Sequence, residues 1–262
     1  MKASASASTR NRRPKGRELE TSAAKVRTSA STLILFDIDG TLVLTGGAGG
    51  RAMSLAFEEI FSIENAFQGI SMAGRTDAWI LSDTAAAHGI PPDSPQLATF
   101  RETYLRHLAI EIEKPGPTRK GLMPGVRELL DALASNDDVY LALVTGNYES
   151  GARMKLEYFD LWKYFPCGAF GDAAPHRNVL VPRALEAVEA CGGPAFAPAD
   201  AIVIGDTPLD VGCAAHVGAR SLAIATGSHS VEQLQAAGAD VVLKDLGDTA
   251  QVLRVIADFR LD

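Results

Sequence analysis

The stretch Thr32-Leu-Ile-Leu-Phe36, an unbroken apolar run that stops at Asp37-Ile-Asp-Gly-Thr41, constrains this chain more than any other feature. A strand with one wet face alternates apolar and polar residues, whereas a run without alternation marks a strand covered on both faces. Such strands belong to parallel sheets flanked by helices. The pattern recurs at Val139–Val144, Ala201–Ile204 and Ser221–Ala225, and more weakly at Asp240–Leu243. Helical periodicity fills the intervals, at Val126–Ala134, Glu149–Phe159, Val179–Ala190, Leu209–Val217 and Val231–Ala237. Strands alternating with helices imply βαβ crossovers. The sequence predicts a doubly wound, Rossmann-like α/β fold.

One interval breaks the rhythm. Residues 46–120 show no strand pattern and predict helices near Ala48–Ser62, Thr76–His88 and Gln96–Glu113. Gly46-Gly-Ala-Gly-Gly50 opens the interval; Lys114-Pro-Gly-Pro117 and Gly121-Leu-Met-Pro-Gly125 close it. The first of these lacks the Gly-Lys-[Ser/Thr] ending of a P-loop and is expected to be a flexible hinge. The predicted organisation is a core of residues 32–45 and 121–262 with an inserted helical cap, 46–120, able to close over the strand ends.

Charge is divided unevenly along the 262 residues. Residues 1–31 hold eight Lys/Arg against Glu18 and Glu20, so within an overall −7 the remainder carries −13. An acidic body argues against a nucleic-acid partner, because phosphate backbones need basic patches. An anionic substrate must then meet positive potential made locally, by a metal or by backbone N–H groups. The basic segment is rich in Ser, Ala and Arg and almost free of large apolar side chains. It is expected to be a disordered tail, although an Arg/Ser-rich, acid-poor leader also resembles an organelle transit peptide. No run of about 18 uncharged apolar residues occurs, so no membrane span is expected. Cys167, Cys191 and Cys213 lie far apart without a Cys-x-x-Cys pair, which suits a reducing cytoplasm.

Ligands of open α/β sheets bind at the carboxyl ends of the strands. Three predicted strands end in polar turns: Phe36-Asp-Ile-Asp-Gly-Thr41, Val144-Thr-Gly-Asn147 and Ile204-Gly-Asp-Thr-Pro-Leu-Asp210. Asp37, Asp39, Asp206 and Asp210, brought together, would repel and raise one another's pKa values. A hard cation relieves this, and Mg2+ takes one or two carboxylates with water and substrate phosphate. Thr145, Gly146 and Asn147 open a helix whose N–H groups suit an anion. Acids, Mg2+ and an anion cradle point to phosphoryl transfer on a small phosphate ester. Plainer readings exist for some members: Thr145-Gly146 as an ordinary strand-to-helix turn, and Asp210 as a first-turn helix acid. The five histidines show no ligand spacing.

Asp-x-Asp-Gly-Thr after an apolar strand, then Thr-Gly-Asn, then Gly205-Asp206-Thr207-Pro208-Leu209-Asp210 resembles the haloacid dehalogenase superfamily of hydrolases across about residues 32–245. The insert's position resembles the helical cap of phosphoglycolate phosphatase-like members. The resemblance implies Asp37 as the nucleophile that forms an aspartyl-phosphate, and Asp39 as the general acid and base. It implies Mg2+ held by Asp37, Asp206 and the main-chain carbonyl of Asp39. Thr145 would bond a phosphoryl oxygen, with Thr41, Gly146 and Asn147 beside it. Asp210 would hold either the metal's water shell or the cation that contacts phosphate.

One departure stands out. The family expects a Lys before the helix leading to the fourth strand, but Lys155 and Lys163 both come too early. Arg177 is the expected replacement, ahead of Arg183, since a guanidinium also steadies phosphate and carboxylate. In the cap, Gly74-Arg75-Thr76-Asp77 matches a Gly-[Lys/Arg]-Thr-Asp stretch of the phosphoglycolate phosphatase-like caps. Arg75 there either pairs with a substrate carboxylate or stays solvated while Thr76 or Asp77 caps a helix. The leading expectation is a Mg2+-dependent phosphatase of a phosphoglycolate-like metabolite. A phosphomutase of the β-phosphoglucomutase type shares every core residue. A haloacid dehalogenase is disfavoured by Asp39, and a non-catalytic phosphate-binding module by the intact acids.

Overall fold

The computed structural model describes residues 30–260. Its strands in chain order are β1 (Thr32–Phe36), β2 (Val43–Thr45), β3 (Lys120–Leu122), β4 (Val139–Val144), β5 (Gly168–Ala169), β6 (Ala201–Gly205), β7 (Arg220–Ile224) and β8 (Val241–Leu243). Its helices are α1 (Ala48–Phe61), α2 (Asp77–Ala87), α3 (Leu97–Glu111), α4 (Val126–Ala134), α5 (Glu149–Tyr158), α6 (Leu180–Ala190), α7 (Pro208–Val217), α8 (Val231–Ala236) and α9 (Thr249–Asp258). Six strands form one parallel sheet in the order β5-β4-β1-β6-β7-β8. The doubly wound α/β prediction is therefore met.

β1 lies at the centre, and all five of its residues are buried. Ile34 and Phe36 face one layer, with Leu129 and Leu130 of α4, Leu156 of α5 and Val252 of α9. Leu33 and Leu35 face the other, with Leu180 and Ala184 of α6 and Cys213 of α7. Each such apolar side chain contributes about 1.5–3 kcal/mol, and Thr32 at the start of the strand is its one polar residue. Phe36 is in register with Leu143 of β4 and Ile204 of β6. The chain thus leaves three adjacent strands at one edge, carrying Asp37, Thr145 and Asp206 out together.

The insert packs separately. α1 and α3 enclose an apolar cluster of Phe57, Phe67, Phe100, Tyr104 and Leu108, joined from the core by Tyr148. The three cap helices fall where the sequence predicts them. At the Gly-rich segment expected to be a hinge, Arg51 of α1 donates to the Gly46 carbonyl at 2.7 Å and to Glu111 of α3 at 2.7 Å. The insert returns through an antiparallel pair, β2 with β3, that the sequence reading does not anticipate. The edge strand β5 and helix α9 also lie outside that reading. No helix among the described residues is long and apolar enough to cross a membrane. The basic tail, apart from Ala30 and Ser31, lies outside the described residues.

Candidate active site

Asp37, Asp206 and Asp210 are buried and place carboxylate oxygens within 4.8 Å of one another. Arg177, in the turn before α6, is also buried and spans two of them. Its Nη2 lies 2.8 Å from Asp37 Oδ1 and pairs closely with Asp210 Oδ1. Its other bonds go to the carbonyls of Gly74, 2.9 Å, and Val144, 3.3 Å. Arg183, the other candidate for this place, is exposed on α6. Asp210 also accepts from the backbone N–H and hydroxyl of Thr207 at the start of α7, so it anchors both the helix and the guanidinium.

Burial raises Asp37 to about 6, against the pull of Arg177 and with the push of Asp210. Asp206 is raised well above the carboxylate range by burial and then by Asp37 and Asp210. Burial works against the charge of Arg177, but Asp210 and Asp37 outweigh it. Asp206 accepts from Thr41 Oγ1 at 3.0 Å, and no basic side chain pairs with it among the described residues. One guanidinium thus faces three buried carboxylates. That imbalance, on hard oxygen donors, fits a divalent cation such as Mg2+. The buried trio contains Asp210 where the expected metal set has Asp39, whose proposed ligand atom is its main-chain carbonyl. Gly40 makes room for the trio: it sits at φ +88°, and a Cβ there would come within 2.5 Å of Asp206 Oδ2.

The Asp39 side chain is held from the β4 end. Asn147 Nδ2 donates to Asp39 Oδ2 at 2.9 Å and to Thr145 Oγ1 at 2.8 Å. Lys155 Nζ donates to Asp39 Oδ2 at 2.6 Å and to Asn147 Oδ1 at 2.6 Å. Lys155 therefore lines the site, although its chain position had set it aside. A sequence signal for it exists, because Gly151, Ala152, Lys155 and Leu156 share the buried face of α5. A lysine on an apolar face calls for a partner.

Gly74-Arg75-Thr76-Asp77 docks the cap onto this edge. Thr76 caps α2 by accepting from Trp79 N at 3.1 Å, and its hydroxyl donates to the Ala174 carbonyl at 2.6 Å. Asp77 N donates to the Gly146 carbonyl at 2.7 Å, and Asp77 Oδ2 accepts from Tyr148 N at 2.8 Å, capping α5 from another helix. This approach requires Gly146, where a Cβ would meet the Arg75 carbonyl at 2.1 Å. Arg75 lines the cavity, but its guanidinium pairs with Asp83, donates to the Ser71 carbonyl at 3.0 Å and stacks 4.0 Å over Trp79. The insert and the sheet edge line an open cavity of about 300 Å³ between the acids and α1.

The acid-lined cleft thus lies at the carboxyl edge of a parallel sheet, where ligands of open α/β folds bind, beside an inserted helical unit. Residues 34–215 match the model of the haloacid dehalogenase-like hydrolases, and the chain belongs to that family. It is 30% identical over 227 residues to "Probable phosphatase IndB" of Dickeya dadantii, covering 80% of this chain and 88% of that one. It is 25% identical over 224 residues to a phosphoglycolate phosphatase of Nitrosospira multiformis, covering 84% and 95%. The solved structure described as "Putative beta-phosphoglucomutase from Bacteroides vulgatus" superposes with a TM-score of 0.64 at 20% identity, covering 88% and 91%; that likeness is one of fold.

Proposed function

We propose that this protein is a Mg2+-dependent phosphatase that hydrolyses a small, phosphoglycolate-like phosphate monoester through an aspartyl-phosphate on Asp37. The observation that carries the reading is the pairing pattern of the buried acids. Arg177 answers Asp37 and Asp210, while among the described residues Asp206 has only the Thr41 hydroxyl, beside the strand-end carboxylate of Asp37. The relatives named as phosphatases support it.

In this reading an Asp37 oxygen bonds to phosphorus as the ester bond breaks. Arg177 holds Asp37 in place and draws charge from the phosphoryl oxygens. Asp39, half exposed and steered by Asn147 and Lys155, gives its proton to the leaving oxygen. It then takes a proton from the water that releases phosphate and restores Asp37. Thr145 and the N–H groups of Gly146 and Asn147 bond the phosphoryl oxygens. Asp37, Asp206 and the Asp39 carbonyl would hold Mg2+, which when bound supplies charge neutralisation. The cytoplasm is the proposed setting.

The test is steady-state hydrolysis of phosphoglycolate and an aryl phosphate with Mg2+. Asp37→Asn is expected to lose activity on the order of 10³-fold or more. A folded variant that keeps its activity removes Asp37 as nucleophile. Interconversion of hexose 1-phosphate and 6-phosphate with a bisphosphate primer, outpacing hydrolysis, replaces phosphatase with phosphomutase.

A further inference from the structure

The cap side of the cavity holds polar groups that phosphoryl transfer leaves unused. α1 opens with Ala48-Gly49-Gly50, has no side-chain cap and carries no acid in its first turn. Gly47, Gly49 and Gly50 line the cavity. A Cβ on Gly49 would lie 3.5 Å from Lys155 Nζ and 3.9 Å from Tyr104 Oη, so the missing side chain leaves a gap bounded by an ammonium and a phenol. Two of the three N–H donors of Lys155 are taken, by Asp39 and Asn147. Tyr104 is fully buried, lines the cavity, and its hydroxyl has no partner among the described residues. Burial, and then Asp77 and Asp39, push this phenol well above its ordinary range, so it remains an O–H donor.

An orphaned donor in a buried pocket is costly unless something accepts from it. Beside a bare helix N-terminus and a lysine, the acceptor that fits is an anion. The two acids nearby are already paired, Asp39 with Lys155 and Asp77 with Tyr148 N. We propose that Lys155, Tyr104 and the α1 N-terminus form a subsite for a second anionic group on the substrate's leaving half. The proposal rests on the phosphatase reading. Lys155 already touches Asp39, which would protonate the ester oxygen, so the second anion sits only a few bonds from that oxygen. Carboxylate and phosphate share this chemistry. A Cβ on Gly49 would already be in contact with Lys155, so the space there suits the flat carboxylate better than the bulkier phosphate.

The probes are three two-carbon esters: 2-phosphoglycolate, 2-hydroxyethyl phosphate and ethane-1,2-diol bisphosphate, with the full chain and Mg2+. The wild type is expected to favour phosphoglycolate over the neutral ester about tenfold or more in kcat/KM. Gly49→Ala places its methyl in the gap at ordinary contact distance and should erase most of that ratio. Tyr104→Phe should lower it about fivefold. A ratio near one in the wild type, or one unchanged in both variants, overturns the subsite. A preference for the bisphosphate overturns the carboxylate assignment. Calorimetric titration of the same esters into Asp37→Asn decides the matter independently of turnover. Tighter phosphoglycolate binding that Gly49→Ala removes supports the subsite, and equal or absent binding overturns it. Loss of turnover with selective binding counts against the phosphatase reading alone.

Discussion

The two sides of the cavity are built on opposite principles. On the core side the acids are locked: Arg177 spans Asp37 and Asp210, Thr207 holds Asp210, and Thr41 holds Asp206, all on strand ends or the first turn of a helix. On the cap side the groups are left open, with a bare helix start, a phenol without a partner among the described residues and a gap where Gly49 has no Cβ. Chemistry that must be the same for every substrate demands fixed geometry, whereas recognition demands donors waiting for a partner. In the proposed reading, reaction belongs to the sheet edge and discrimination to the insert together with Lys155 of α5.

Breaking the locked side should have the largest effect. Arg177→Met leaves Asp37 and Asp210 buried without their cation and should cost about 3–5 kcal/mol of stability, with activity abolished. Denaturant unfolding and turnover measure both. Arg177→Lys should keep the fold but lose most of the rate, since one ammonium cannot reproduce the planar group that meets both carboxylates through Nη2 and the Gly74 carbonyl through Nη1. Wild-type stability after Arg177→Met would mean that the acids relax without it.

Asp77, on the boundary, sharpens the comparison through pH. Burial raises its carboxyl from 3.8 to about 7, against the pull of Lys155. Below about pH 4 the group is neutral folded and unfolded, so it costs nothing. As pH rises toward 7 the unfolded chain ionises freely and the fold does not, so stability falls. Asp77→Asn keeps an acceptor for Tyr148 N without the charge. It should gain up to about 3–4 kcal/mol over the wild type between pH 4 and 8. Parallel stability curves for the two proteins would show that Asp77 is not held neutral.

Arg75 should have the smallest effect. Its partner Asp83 is about half exposed, and exposed pairs contribute about 0–1 kcal/mol. Arg75→Ala should lower kcat/KM for phosphoglycolate and for an aryl phosphate by similar, few-fold factors. A tenfold loss confined to phosphoglycolate would transfer carboxylate recognition to Arg75 and away from α1.

The locked side was legible in the sequence because strand ends in a parallel sheet converge whatever the loops do. Asp37, Thr145 and Asp206 each follow an apolar run, and Arg177 precedes a helix. The open side was not. Lys155 lies eight residues past Asn147, yet side chains on a helix lean toward its N-terminus, which brings the ammonium back to the strand edge. Tyr104 and Gly49 meet it only through packing of α1 on α3, which no local pattern encodes. β2 and β5 were too short for a period to register. α9 carries a signature, with Asp248 as its cap and Val252 and Ile256 four apart, beyond the last strand predicted.

Transfer of the phosphoryl group to Asp37 is the centre of this account, and trapping it is the most direct test. Acid quench of the enzyme during turnover of phosphoglycolate with Mg2+, followed by peptide mass spectrometry, should find one phosphoryl group on the peptide containing Asp37, absent in Asp37→Asn and without Mg2+. Turnover with no such adduct, or an adduct on a different residue, would contradict it.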